Sequence, residues 1–339
     1  MIKNVLLFLG FLVTCIVSAQ IGGKYTYEFL NLVSSPREAA IGGKVLTNND
    51  WDTSQALHNP SAINSEMDGQ LALNFVNHFA DINYGSVAYA KSVGKKKNMI
   101  AVGVTYIDYG SFDGYNENGL STGEFSGSEF ALTVGYMYAI PKSDLKLGAS
   151  GKFISSKLET YSSIGGALDV SMLYDFKKSK SQLTIVATNI GTQFTVYDDV
   201  KEKIPFHVDL AFAKELENLP FKWHVVFENL QQWDLSFNNP ARAQIDLDGN
   251  STAEDISFFN KLTQHMVLGG ELFHGKAINL RFGYNFRRGY EMKIEGNRVF
   301  AGITVGFGIK LNKFRVNYAF QKYSAAASVH TFGLNINLQ

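Results

Sequence analysis

The clearest signal along the chain is a two-residue hydrophobic period that starts near Gly69 and runs to the end. Phe332, Leu334, Ile336 and Leu338 alternate with Thr331, Gly333, Asn335 and Asn337. Phe314, Val316, Tyr318 and Phe320 alternate with Arg315, Asn317, Ala319 and Gln321. The same holds from Val299 to Ile309, against Phe300, Gly302, Thr304, Gly306 and Gly308, and from Ile278 to Phe286, against Asn279, Arg281, Gly283, Asn285 and Arg287. Successive side chains of a strand point to opposite faces, so each stretch has one apolar face and one polar or small face. That pattern fits strands with lipid on one side and a lumen on the other. Earlier strands are expected over about 69–78, 82–91, 97–107, 128–139, 145–157, 162–175, 182–190, 204–214, 221–231 and 264–273. The total is about 14, even as in single-chain bacterial outer-membrane barrels.

The connections test this reading independently. Those after odd-numbered strands include 108–127, 191–203, 232–263 and 287–297, and they are long. Those after even-numbered strands, 92–96, 140–144, 176–181, 215–220, 274–276 and 310–313, are short. Short periplasmic turns and long outer loops give this parity, and place both termini on the periplasmic side. A soluble all-β domain has no reason to show it. One feature favours that soluble reading: the chain ends Leu338-Gln339, without a terminal aromatic residue.

Residues 20–66 lack the period. Ser35-Pro36-Arg37-Glu38 reads as a helix start, with Ser as cap and Pro in the first turn, and Gly42-Gly43 as its stop. Phe29, Leu30, Leu32, Ile41, Leu57 and Ile63 need burial. The segment is therefore expected as a partly helical plug inside the barrel, which has room for one. Before it, Lys3, the apolar run Val5–Val17 and Val17-Ser18-Ala19 read as a signal peptide cleaved after Ala19. The only cysteine, Cys15, lies within it. A lipoprotein would need Cys15 as its new N-terminus, and Leu12-Val13-Thr14 puts no small residue directly before it.

Composition agrees with an exported all-β chain. The 339 residues are 13% aromatic and 18% charged, against about 25% charged in an average soluble protein. Lys+Arg and Asp+Glu are both 31, so no basic excess suggests nucleic acid. His58, His78, His207, His224, His265, His274 and His330 are scattered without HExxH or ligand spacing. No GxSxG occurs, and no catalytic residue, metal or cofactor is expected. Asp246 to Ser251 resembles the first half of a calcium loop, but Ser251 and Ser257 stand where Gly and Glu belong, so a solvated loop is expected. Phe258 and Phe259 form an apolar patch in an outer loop, for rim packing or partner contact. Lys152, Asp169, Asp209, Glu228, Glu271, Arg281, Arg287 and Arg315 are expected to face inward, tolerable only in a hydrated or paired lumen.

An N-terminal segment of this size in such a barrel resembles the fatty-acid-transporter (FadL-like) fold. His58-Asn59-Pro60-Ser61-Ala62 looks like the Asn-Pro-Ala box of that superfamily, with Ser inserted before Ala, which marks Asn59 and Pro60 as plug-motif residues. Within it, Gly22-Gly23, Tyr25 to Leu32, and Ser35-Pro36-Arg37 through Gly42-Gly43 resemble the PorQ-type barrels of the type IX secretion system of Bacteroidota, relatives of PorV and PorP. The resemblance implies a non-catalytic anchor of the attachment complex that processes cargo and joins it to lipopolysaccharide. It implies a PorZ-like surface subunit as partner, beside a PorU-like sortase and a PorV-like barrel. The alternative is a FadL-like transporter of hydrophobic small molecules, which should show a continuous apolar lumen. A porin would instead show an open one.

Overall fold

The computed structural model describes residues 25–339 except Ser34, 48–49, Asp81, 95–97, 236–243, 246–250, 253–256 and 293–298. The expected signal peptide with Cys15, the Gly22-Gly23 pair and the calcium-loop-like stretch Asp246 to Asn250 lie outside the described residues.

The strands are β1 (Gln70–Asn77), β2 (Asn83–Val93), β3 (Asn98–Tyr115), β4 (Ser121–Ala139), β5 (Leu145–Leu158), β6 (Tyr161–Phe176) and β7 (Ser181–Thr195). They continue as β8 (His207–Glu215), β9 (Phe221–Phe227), β10 (Met266–Leu272), β11 (Ile278–Asn285), β12 (Ile303–Leu311), β13 (Phe314–Lys322) and β14 (Ser328–Asn337). Each pairs antiparallel with its sequence neighbours, and β1 pairs with β14 from Gln70↔Asn337 to Asn77↔His330. The result is a closed 14-stranded antiparallel barrel with no free edge. Closure by an even number of strands leaves both ends of the barrel segment on one side.

The alternation sets the two faces. Val87, Val102, Val134, Leu147, Val170, Ile185, Leu280, Val305, Val316 and Phe332 are exposed on the outside, as a lipid-facing surface requires. Thr133, Ser150, Thr184, Thr304, Asn317 and Thr331 are buried inside. Asn312 occupies the two-residue turn between β12 and β13 at φ 54, a left-handed conformation that Asn tolerates.

Strand boundaries differ from the sequence expectation most in two regions. Residues 108–127 are not an open loop: β3 and β4, with 18 and 19 residues, extend as a hairpin past the 9–11 that a bilayer needs. A register shift between Asp108 and Ser111 marks the departure. The stretch from Ile278 stops being strand at Asn285 and turns into a helix, Phe286–Glu291, and β12 begins at Ile303 rather than Val299.

The N-terminal segment folds as short turns inside the barrel. Helix α1 (Pro36–Ala40) is followed by 3-10 turns at Thr53–Leu57, Pro60–Ala62 and Ser65–Met67. Pro36 opens α1 with a fixed φ and no N–H to satisfy. Ser35 makes no side-chain cap bond; its hydroxyl donates to Asp52 instead, at 3.3 Å. Asp52, Asn59 and Asn64 each accept from the backbone N–H two residues on and so start the three later turns. Gly42 ends α1 at φ 99, where an added Cβ would also lie 2.3 Å from Val267 Cγ1. In the connections that follow β9 and β11, α2 (Phe258–Gln264) packs against α3 (Phe286–Glu291).

Candidate functional site: the plug and the barrel wall

The segment touches the wall all the way round. Tyr25 and Thr26 pair with Lys203, Ser54 with Asn74 on β1, Ser61 with Ser171 on β6, Lys44 with Asp209 on β8, and Gly42 with Thr304 on β12. Its apolar side chains meet matching wall positions. Tyr27, Phe29 and Leu30 cluster with Tyr84, Ile107, Ala131 and Ile154, Ile63 and Met67 with Met99 and Met137, and Leu46 with Val186, Val226 and Val267. Between Phe29, Leu57, His58, Ala131 and Lys152 a cavity of about 10 Å³ remains, room for one water at most.

A buried ion cluster joins plug to wall. Arg37 is 1% exposed and grips Glu271 of β10 with two bonds, Nη2 to Oε1 at 2.6 Å and Nε to Oε2 at 3.1 Å. Its Nη1 donates to Asp50 at 2.6 Å. This forked pairing matches guanidinium to carboxylate geometry. Glu271 also meets His224 Nε2 at 3.0 Å and Arg281 Nε at 3.4 Å. Arg281 donates to Asn317 at 3.0 Å, and Arg315 lies 3.5 Å over the Trp51 ring. Burial disfavours the charge on Arg37, but Asp50 and Glu271 outweigh it and raise its pKa. Burial likewise works against ionised Asp50, yet Arg37 and His274 bring it down to about 2. Glu38 lies 3.7 Å from His58 Nε2 and accepts from Gln55 at 3.3 Å, but burial, then Asp52, push its pKa well up.

A second cluster repeats one motif. Asp209 accepts the Asn229 N–H at 2.9 Å and the Lys44 ammonium at 2.6 Å. Asp169 accepts the Asn189 N–H at 2.8 Å and the Lys152 ammonium at 2.9 Å. Asn189 and Asn229 both sit at positive φ, 59 and 61. Lys44 comes from the plug, Lys152 from the wall.

Of the eight charges assigned inward from sequence, Lys152, Asp169, Asp209, Glu271 and Arg281 are buried on the lumen side and Arg315 is half-buried there. Glu228 is half-buried just past β9. Arg287 is not on a strand; it lies on α3 and pairs with Glu291 at 2.7 Å. Asn59 is fully buried, donating to Leu46 O at 2.6 Å and accepting from the Ser61 N–H and hydroxyl. Pro60 and Ser61 lie against Gly148 of β5, where a Cβ would fall 2.1 Å from Ser61 N. Phe258 and Phe259 are 64% and 74% exposed, and Phe258 tilts onto Trp233 at 5.3 Å. Among the described residues no group of three or more His, Cys, Asp or Glu could hold a metal ion. Sequence reasoning did not single out Lys44 or Asp50, named His224 only among scattered histidines, and used Arg37 only in a helix start and in the PorQ-type resemblance. The available signal was charge balance, since inward-facing wall acids need cations.

These features define a plugged β-barrel of outer-membrane, FadL-like architecture. The chain is similar to the toluene transporter TbuX of Ralstonia pickettii, with TM-score 0.55 and 11% identity over 91% of this chain and 100% of that one. A FadL homologue of Pseudomonas aeruginosa aligns with TM-score 0.47 and 9% identity, over 90% and 98%. No family model and no curated sequence matches the chain.

Proposed function

We propose that the chain is a closed outer-membrane barrel that anchors surface proteins of type IX secretion and conducts nothing itself. The observation that carries this is the lumen: it is filled by the chain's own N-terminal segment, which is tied to β8 and β10 through ion pairs with the buried carboxylates of Asp209 and Glu271. The N-terminal resemblance from Tyr25 to Gly43 supports the assignment to secretion. In this reading both termini face the periplasm and the 228–265 and 286–302 connections face outward. Trp233, Phe258 and Phe259 then offer an apolar patch to a PorZ-like subunit, near a PorU-like sortase, a PorV-like barrel and lipopolysaccharide. The chain holds partners in place and contributes no catalytic group or cofactor.

A second reading is a transporter of small hydrophobic molecules, and the likeness to the toluene transporter favours it over the first. At 11% identity that likeness carries the fold alone. A transport path here would also need the charged plug to leave its partners. A pull-down of tagged protein from native outer membranes in mild detergent, read by mass spectrometry, separates the two. Near-stoichiometric surface subunits support anchoring, and loss of them in Phe258→Ser/Phe259→Ser assigns the patch. A solitary barrel carrying an apolar ligand supports transport.

A further inference from the structure

The wall contains a buried amine, amide and carboxyl that no part of the anchoring role uses. Lys152 of β5 is 4% exposed at its side chain, and Asp169 of β6 and Asn189 of β7 are 0% and 2% exposed. Lys152 Nζ lies 2.8 Å from Asn189 Oδ1 and 2.9 Å from Asp169 Oδ2. The register skips Asp169 between Leu168↔Ile190 and Val170↔Ala187, so Asn189 is held in a bulge opposite it. Asp169 Oδ1 fixes the Asn189 backbone N–H, and Pro205 O accepts from Asn189 Nδ2 at 3.0 Å. The amide is thereby turned with its oxygen toward the lysine and its nitrogen away. Phe29, Leu30, Leu32 and Leu57 of the plug line the same small cavity as Lys152 and keep bulk water out.

We propose that Lys152 and Asn189 form an intramolecular isopeptide cross-link, with Asp169 as the proton carrier. The Lys152 ammonium gives a proton to Asp169, and the free amine attacks Asn189 Cγ, one carbonyl bond of about 1.2 Å from the oxygen it already touches. A C–N bond forms, the Cγ–Nδ2 bond breaks, and Asp169 returns the proton to the departing nitrogen. Lysine ammonium plus asparagine amide become a secondary amide plus ammonium ion, with no oxidant or reductant. The link ties β5 to β7 across β6.

The repeated motif is an internal control. Lys44 reaches Asp209 in the same way, but Asn229 Oδ1 is taken by His207 Nδ1, so no link is expected there. The test is peptide mass spectrometry of the full chain purified from membranes. The measurement must be at peptide level, because an N-terminal Gln20 left by signal cleavage would lose the same ammonia by cyclisation. The expected result is a branched peptide joining Lys152 to Asn189, lighter by one ammonia, that persists in Lys44→Met and is absent in Asn189→Ala. Recovery of the linear Lys152 and Asn189 peptides from folded wild-type protein would overturn the proposal, whether or not the variants fold.

Discussion

Replacing Arg37 by Met removes one of the cations that hold plug to wall while keeping a long apolar stem. Asp50 loses a 2.6 Å partner and Glu271 loses a two-bond one. Breaking a buried pair from one side costs about 3–5 kcal/mol, because the remaining charge stays buried. Glu271 keeps His224 and Arg281, so the lower end, about 3 kcal/mol, is the appropriate figure. At about 1.4 kcal/mol per decade, the undocked fraction of the plug should rise about 100-fold. A cysteine reporter reads this directly. The sequence has one cysteine, Cys15, in the expected signal peptide, so Ala56→Cys in the buried plug cluster is labelled alone. With plug closure fast relative to labelling, the maleimide rate tracks the undocked fraction. Arg37→Met should accelerate it about 100-fold on this arithmetic. Lys177→Met, which breaks an exposed pair with Asp144, should leave it unchanged. A rate for Arg37→Met within about threefold of the parent, worth well under 1 kcal/mol, would refute the latch reasoning.

Three other perturbations probe the same interface. Gly148→Val places carbon against the Ser61 backbone, and overpacking of this kind costs about 1–3 kcal/mol, read as faster Ala56→Cys labelling; Gly151→Val, whose nearest Cβ neighbour is 3.9 Å away, should not. Asp50 has its carboxyl lowered to about 2, against about 4 when free, so its contribution to docking is complete above about pH 4 and lost as pH falls towards 2. Trp51 fluorescence followed through an acid titration should show that limb in the parent and not in Asp50→Asn. Burial pushes the Glu38 pKa up and so favours its neutral form, and Glu38→Gln should hold the plug as well or better; a marked rise in labelling would mean that the charge of the carboxylate is needed there.

The barrel was legible because lipid imposes a strict rule on every second residue. Where that rule stops, legibility stops. The 108–127 hairpin has water on both faces beyond the bilayer, so Ser, Gly, Asn and Asp dilute the alternation and a regular ladder reads as a loop. Phe286 and Arg287 continue the alternation of β11 in sequence, yet Asn285 caps a helix by accepting the Arg288 N–H at 2.9 Å. The plug has no period, because its residues meet wall on all sides, and its contacts are set by distant strands. Inward alternation marks Glu271 and Asp209 as charges needing partners, but Arg37 and Lys44 lie more than a hundred residues away in the chain. Their pairing depends on closure of the barrel, which no local pattern encodes.

The central claim is that this chain closes its own barrel. The most direct measurement is single-channel conductance in planar bilayers, comparing the full chain with one lacking residues 21–60, each first checked for a heat-modifiable barrel on gels. The account predicts negligible conductance for the full chain and a stable open channel after deletion. An open full-length channel, or a deletion that conducts no more than the parent, would contradict it.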